Sequence, residues 1–246
     1  MNDIFRRMGP VTKNLLIINI IIWAFCAFMP ASTSSRMLDY CGLHYFTSPG
    51  FGAWQLVTYM FVHVDFWHLF FNMFALVMFG SIIEMAMGRK RYLVYYLSCG
   101  IGAALIQEGV FAIMLTKYSP MLNAEQMRVV IDEGWHALQQ GMNFTDPTLG
   151  SINALVNGPV IGASGAIFGI LLAFAMLYPN MPVYIWFVPI PVKAKWMVAG
   201  YAVLELAMGL GSVQDNVAHF AHLGGMVIGF ALLWYWKKSG AFRGFY

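Results

Sequence analysis

The chain has 246 residues, of which 60% are hydrophobic and 10% charged, with a formal net charge of +3 and a mean hydropathy of +0.66. Soluble domains carry about 25% charged residues, so this composition excludes a water-soluble globular protein and calls for several membrane-spanning helices. The small positive charge forms no basic arm of the kind that holds DNA or RNA, and no nucleic-acid partner is expected.

A spanning helix takes about 20 mostly apolar residues. Six segments approach that length, at about 13–29, 66–87, 92–115, 162–178, 194–211 and 217–236. The expected fold is all-α, a polytopic membrane bundle of six helices in which residues 1–246 form a single domain, because backbone polar groups in hydrocarbon must be satisfied within helices. The first segment follows Arg6, Arg7 and Lys13 without a small-x-small cleavage site, and it reads as a retained anchor. An outer loop at about 30–65 follows, rich in apolar and aromatic residues such as Tyr45, Phe46, Phe51 and Trp54, which suits a segment lying partly in the lipid interface.

The second span opens "FWHLFFNMFALVMFG", so His68 and Asn72 stand one turn apart on one face near its outer end. After the third span, the outer loop at about 116–161 is the one distinctly polar stretch. Within it "NAEQMRVVIDEGWHALQQGM" offers Asn123 as a helix cap with Gln126 three residues on, then Met127, Val130, Ile131, Trp135 and Leu138 at helical spacing, predicting a short amphipathic helix. The fourth span starts "GPVIGASGAIFG", with Ser164 in its first turn, and the sixth starts "NVAHFAHLGGMVIGF", with His219 and His222 in its first turns.

Orientation follows from the cations. With the N-terminus in the cytoplasm, every lysine and arginine except Arg36, Lys117 and Arg128 lies on the cytoplasmic side. Both termini are then cytoplasmic, and the polar residues of the second, fourth and sixth spans lie at one depth near the outer face. Polar groups inside a span usually face the bundle interior and mark function. Cys26, Cys41 and Cys99 have neither a paired framework nor metal-ligand spacing, so no structural disulfide is expected.

Small residues supply a second constraint. Gly165 and Gly169 on the fourth span, and Gly225 and Gly229 on the sixth, form small-xxx-small ridges that let helix backbones approach closely. If the ridges meet, Ser164 and His222 lie together at their outer end as a nucleophile and its base. In the first turn of a helix the N–H groups of Ser164 and its neighbour Gly165 lack intrahelical acceptors and sit at the positive end of the helix dipole, suited to a developing oxyanion. His68 and Asn72 offer side-chain donors to the same site. His219 is the rival base and His63 reads as a loop-packing histidine, while Glu108 and Glu205, either of which could be proposed as a triad acid, are costly as charges within spans and read as structural hydrogen-bonding groups. No metal and no cofactor are expected.

"GASGAIFG" around Ser164, "HLFFN", "AHLGGMVIG" and "GSIIEMAMG", set in six spans, resemble the rhomboid family of intramembrane serine proteases. The resemblance implies a Ser164–His222 dyad, an oxyanion hole of His68, Asn72 and the Ser164 N–H, support of the histidine by Phe168, and a structural pairing of Glu84 with Gly88. It also implies single-span membrane proteins as substrates, cut within their transmembrane segments after a small residue near the outer leaflet, in a bilayer such as the bacterial inner membrane. Two features depart from the family: Trp54-Gln55 stands where many relatives carry Trp-Arg, and the outer insertion before the fourth span is an addition. The rival readings are a proteolytically inactive relative that binds membrane clients, which would be expected to lose the serine or histidine, and a small transporter, which would need a polar path through the whole thickness.

Overall fold

The computed structural model describes residues 8–184, 190–211 and 218–241. Arg6, Arg7, Arg243 and residue 217, invoked above for orientation and for the start of the sixth span, lie outside the described residues.

Helix α1 (Pro10–Phe28) starts earlier than its apolar run because Pro10 occupies the first turn, where a missing N–H leaves nothing unpaired. The free N–H groups of Val11 and Thr12 donate to the two carboxylate oxygens of Glu84, at 3.0 and 2.8 Å. Glu84 thus caps α1 from the C-terminal end of the second span, α4 (Phe66–Met87). Gly88 ends α4 at φ +78°, a left-handed conformation that side chains other than glycine rarely adopt. Midway, α4 passes through a π-helical turn at Leu76–Gly80.

Between α1 and α4 the loop is built from α2 (Ala31–Cys41) and the short α3 (Gln55–Thr58). It leaves Tyr40, Phe46 and Trp54 exposed while burying Leu43, Tyr45 and Tyr59. The long third span, α5 (Arg89–Tyr118), extends past its apolar segment at both ends.

The insertion before the fourth span holds more structure than the single helix expected. Asn123 and Gln126 form the anticipated capping box at the start of α6 (Ala124–Asp132). The helix then breaks and resumes as α7 (Gly134–Gln139), because Asn153 approaches closely at Gly134 and donates to its carbonyl at 3.2 Å. A further helix, α8 (Pro147–Asn157), was not anticipated, although Asp146 capping it through Thr148 and Leu149 and Pro147 at its first position are ordinary start signals. Val130, Ile152, Leu155 and Val156 join Tyr45 of the outer loop in a small hydrophobic cluster of their own.

The remaining spans are α9 (Ser164–Leu177), α10 (Ala194–Gly211) and α11 (His219–Lys238). A two-residue antiparallel pairing of Pro182–Val183 with Val192–Lys193 precedes α10. Among the described helices, α1, α4 and α5 are long and apolar enough to cross a bilayer unaided. By contrast α9, with 14 residues, is roughly 21 Å long, shorter than the ~30 Å hydrocarbon layer. It tolerates this by lying inside the bundle, packed against α4, α5, α10 and α11, with Ile167, Ile170, Ala173 and Phe174 all buried.

Candidate active site

The site is assembled where α9 begins. Gly162 adopts φ +123°, and a Cβ at that position would lie 2.7 Å from His68 Nε2 and 3.7 Å from Ser164 Oγ. Glycine therefore leaves the space through which the His68 ring, carried by α4, reaches the neighbourhood of the serine. Asp65 caps α4 by accepting from the His68 N–H at 2.8 Å, which fixes the first turn that carries this ring. The preceding chain is anchored by Gly162 N–H to Tyr59 O, 2.9 Å, and by the paired backbone bonds of Leu43 and Val160, 2.8 Å each. The first helical bond of α9 runs from Ile167 N–H to Ala163 O, so the N–H groups of Ser164 and Gly165 precede it.

Ser164 Oγ lies 2.7 Å from His222 Nε2, across the α9–α11 contact. The His222 ring stacks on Phe168, one turn beyond Ser164, with centroids 4.4 Å apart and planes inclined by 2°. Close approach of the two helices depends on glycine. A Cβ on Gly225 would run into the Gly165 carbonyl, and a Cβ on Gly169 would meet Cys99 of α5 and stand 3.2 Å from the Gly225 carbonyl oxygen. Gly229 instead faces Tyr95 of α5, whose hydroxyl donates to the Gly169 carbonyl at 2.8 Å. The ridges are thus shared among three helices, with α5 filling the space beneath the Gly165–Gly225 crossing.

A cavity of about 1480 Å³ opens beside these groups, lined by His68, Asn72, Ser164 and His222 and, on the insertion side, by Phe144, Ser151 and Ala154. Asn72 donates one amide N–H to the His68 carbonyl one turn back, at 2.7 Å, which leaves its second N–H for the cavity. His63 is buried behind His68, the ring centroids 4.9 Å apart, and neither of its ring nitrogens has a hydrogen-bond partner among the described residues.

The described chain also matches a known domain. The family model described as the Rhomboid domain fits residues 51–124 and 134–239. The chain belongs to the rhomboid family. It is an integral membrane protein built on the polytopic helical fold of that family. This rhomboid is 28% identical over 179 residues to Rhomboid protein 1, mitochondrial, of Saccharomyces cerevisiae, covering 73% of this chain and 40% of the yeast protein. It is 23% identical over 234 residues to the putative rhomboid protease YdcA of Bacillus subtilis, covering 93% and 89% of the two chains. It is 26% identical over 226 residues to rhomboid protease AarA of Providencia stuartii, covering 89% and 69%. The chain thus spans less than half of the mitochondrial relative and most of the bacterial ones.

In this rhomboid the Trp54-Gln55 pair ties its own loop together. Buried Gln55 accepts from His44 N–H at 3.1 Å and donates to the carbonyls of Tyr40 and Gly50, at 3.3 and 2.8 Å, while Trp54 donates to Tyr40 O at 2.9 Å. The insertion is fastened to that loop through Asn157, which accepts from Ser48 and, by its amide, donates to Val130 O and to the Asn153 side chain. Glu108 accepts the Phe46 N–H of the same loop at 2.9 Å.

His219 does not approach Ser164. Its Nδ1 lies 2.6 Å from Glu205 Oε2, and the same oxygen is 2.9 Å from His222 Nδ1. The second contact is close, yet its N–H direction falls outside a well-aligned hydrogen bond. Glu205, His219 and His222 each place one ligand-type atom within 4.8 Å of the others. Two ligands around a tetrahedral zinc ion at about 2.0–2.1 Å stand more than ~3 Å apart, whereas these separations suit shared protons. The sequence reading weighs Glu205 as an acid partner and prefers a structural role, although Gly209, one turn after Glu205 on the same face of α10, is where α11 comes close, a Cβ there lying 2.9 Å from Phe220 and 3.2 Å from His219 Cβ.

Proposed function

We propose that this chain is an intramembrane serine endopeptidase that cleaves transmembrane segments of single-span proteins near the outer face of the membrane. The observation that carries the reading is the 2.7 Å approach of Ser164 Oγ to His222 Nε2. A lone membrane serine ordinarily bonds a carbonyl one turn back in its own helix; this one faces an imidazole from another helix, at the head of a cavity.

The chemistry then runs as follows. His222 Nε2 takes the Ser164 hydroxyl proton as the oxygen attacks the scissile carbonyl, and returns it to the departing amine. Negative charge on the carbonyl oxygen meets the N–H groups of Ser164 and Gly165, the free N–H of Asn72 and the His68 ring. One such donor is typically worth about 10²–10³ in turnover. Water then attacks the acyl-enzyme by the same route. Phe168 holds the imidazole plane by stacking. Because α9 is short, its first turn lies below the membrane surface, so the substrate helix must unwind to present a carbonyl there. Gly, Pro or polar residues in the substrate lower that cost. With both termini cytoplasmic, the cavity opens to the outer side, as in a bacterial inner membrane.

The test is cleavage of a single-span substrate by the purified, detergent-solubilised protein, beside fluorophosphonate labelling. Wild type should cleave and label, and Ser164→Ala should do neither. Equal labelling of both proteins would move the nucleophile elsewhere.

A further inference from the structure

A carboxylate within an apolar span is costly unless it is paired, and Glu205 is held mostly out of water between two imidazoles of the neighbouring helix. His219 and His222 are three residues apart on α11, so both rings lean toward the same face, and both present Nδ1 to one oxygen, Oε2. An ionised carboxylate only accepts hydrogen bonds. Facing Glu205, His219 Nδ1 therefore carries the hydrogen, and a hydrogen on His222 Nδ1, 2.9 Å from the same oxygen, would be drawn to it and would leave Nε2 as the lone pair directed at Ser164.

We propose that Glu205 is the positioning residue of His222, selecting the tautomer that can act as base and balancing the imidazolium formed when Ser164 gives up its proton. This inference rests on the Ser164–His222 reading and extends that pair by a third member. His219 fixes the carboxylate through the shorter contact, 2.6 Å, while the His222 contact, at 2.9 Å and poorly aligned, has room to tighten. Catalytic hydrogen bonds are commonly loose before substrate binds and align as charge develops. The proton balance is closed: the Ser164 proton moves to His222 Nε2, the Nδ1 proton stays on His222 and is shared with Glu205, and the Nε2 proton leaves with the amine. Glu205 gains no proton at any step. The carboxylate comes from α10 while serine and histidine come from α9 and α11, so the array also requires α10 to be seated against α11.

The experiment compares kcat and KM for wild type, Glu205→Gln and Glu205→Asp on one single-span substrate. Removing the carboxylate charge from a soluble Ser–His–Asp array costs about 10⁴-fold in kcat. Here, where the contact is looser at rest, Glu205→Gln should lose roughly 10²-fold in kcat with KM within about two-fold, and Glu205→Asp should recover roughly ten-fold of that loss. Thermal unfolding of each variant separates these effects from misfolding. Wild-type protein carrying ¹⁵N-histidine gives a readout that needs no variant: His222 should be protonated on Nδ1 and bare on Nε2. An unchanged kcat in folded Glu205→Gln, a loss confined to KM, or a wild-type His222 protonated on Nε2 would each overturn the inference. The two readings fail separately. Absence of Ser164 labelling in wild type removes the protease reading, whereas full kcat in Glu205→Gln with Ser164→Ala inactive removes only the role of Glu205.

Discussion

The crossing of α9 and α11 at Gly225 and Gly165 decides whether the serine and histidine meet, so Gly225→Val is the sharpest perturbation of the site that leaves every reacting group intact. A Cβ at position 225 would overlap the Gly165 carbonyl oxygen and stand 2.8 Å from its carbonyl carbon, where ordinary contact is 3.4–4 Å. Valine adds two further methyl groups, and neither partner is a flexible side chain that can swing aside, since the obstruction is backbone. Relief requires the helices to separate by on the order of 1 Å. That displacement would take the Ser164–His222 contact from 2.7 Å to about 3.7 Å, beyond hydrogen-bond reach. A misplacement of about 1 Å at reacting groups costs roughly 10²-fold in rate. Cleavage and fluorophosphonate labelling should both fall by about that factor at matched expression and membrane insertion. Val227, two residues along and 57% exposed, faces away from this crossing, and Val227→Phe should stay within about two-fold of wild type. Wild-type cleavage by Gly225→Val would refute the placement of His222 beside Ser164 through this contact.

His222→Ala should abolish cleavage while His219→Ala, which removes its contact to Glu205, keeps a measurable fraction; the opposite pattern would transfer the base role to His219. Burial pushes the pKa of His63, outside the spans, down to about 3, with His68 adding to the effect and Asp65 opposing it. Between about 6.5 and 3 the unfolded chain binds a proton that the folded one refuses, so stability is full above about pH 6.5 and is lost as pH falls, by about 2 kcal/mol at pH 5. His63→Leu should flatten this part of the pH dependence of thermal unfolding in detergent, and an unchanged slope would contradict it. Glu84→Ala strips the acceptors from the Val11 and Thr12 N–H groups and should cost roughly 2 kcal/mol of stability, seen as a lower Tm, without moving the labelling of folded protein at Ser164. Activity should survive a strong chelator, and a loss that added zinc restores would count against the serine–histidine chemistry.

Hydropathy reports how deep a residue lies, and that is why the cluster of His68, Asn72, Ser164 and His222 at one end of the bundle is legible in the amino-acid sequence itself. It does not report azimuth, the direction in which a helix face points around the bundle. Azimuth becomes readable only where a packing rule leaves a mark. The Gly225 ridge is such a mark, because a backbone can approach so closely only where side chains are missing, and it orients α11 so that His222, rather than His219, meets the serine. Gly229 carries the same mark yet faces Tyr95, since a glycine shows that something comes close and not which neighbour does. For α10 the mark is a single glycine, Gly209, one turn after Glu205, where a Cβ would crowd Phe220 and His219 of α11. The buried positions of α10 are few, at Ala194, Met197 and Val198, while Val203, Leu204, Leu206 and Leu210 are exposed, as befits a helix largely facing lipid. One isolated glycine in an apolar stretch does not name its neighbour, and the carboxylate reads as a liability until α11 supplies the two imidazoles. The α8 helix was hidden for a different reason: its start signals were present at Asp146 and Pro147, but its buried Asn153 and Asn157 look like solvated loop residues until Gly134 and Ser48 are seen to bond them. Polar residues whose partners lie across the fold are thus the ones that a linear reading misplaces, and at this site they include Glu205, on which the orientation of His222 depends.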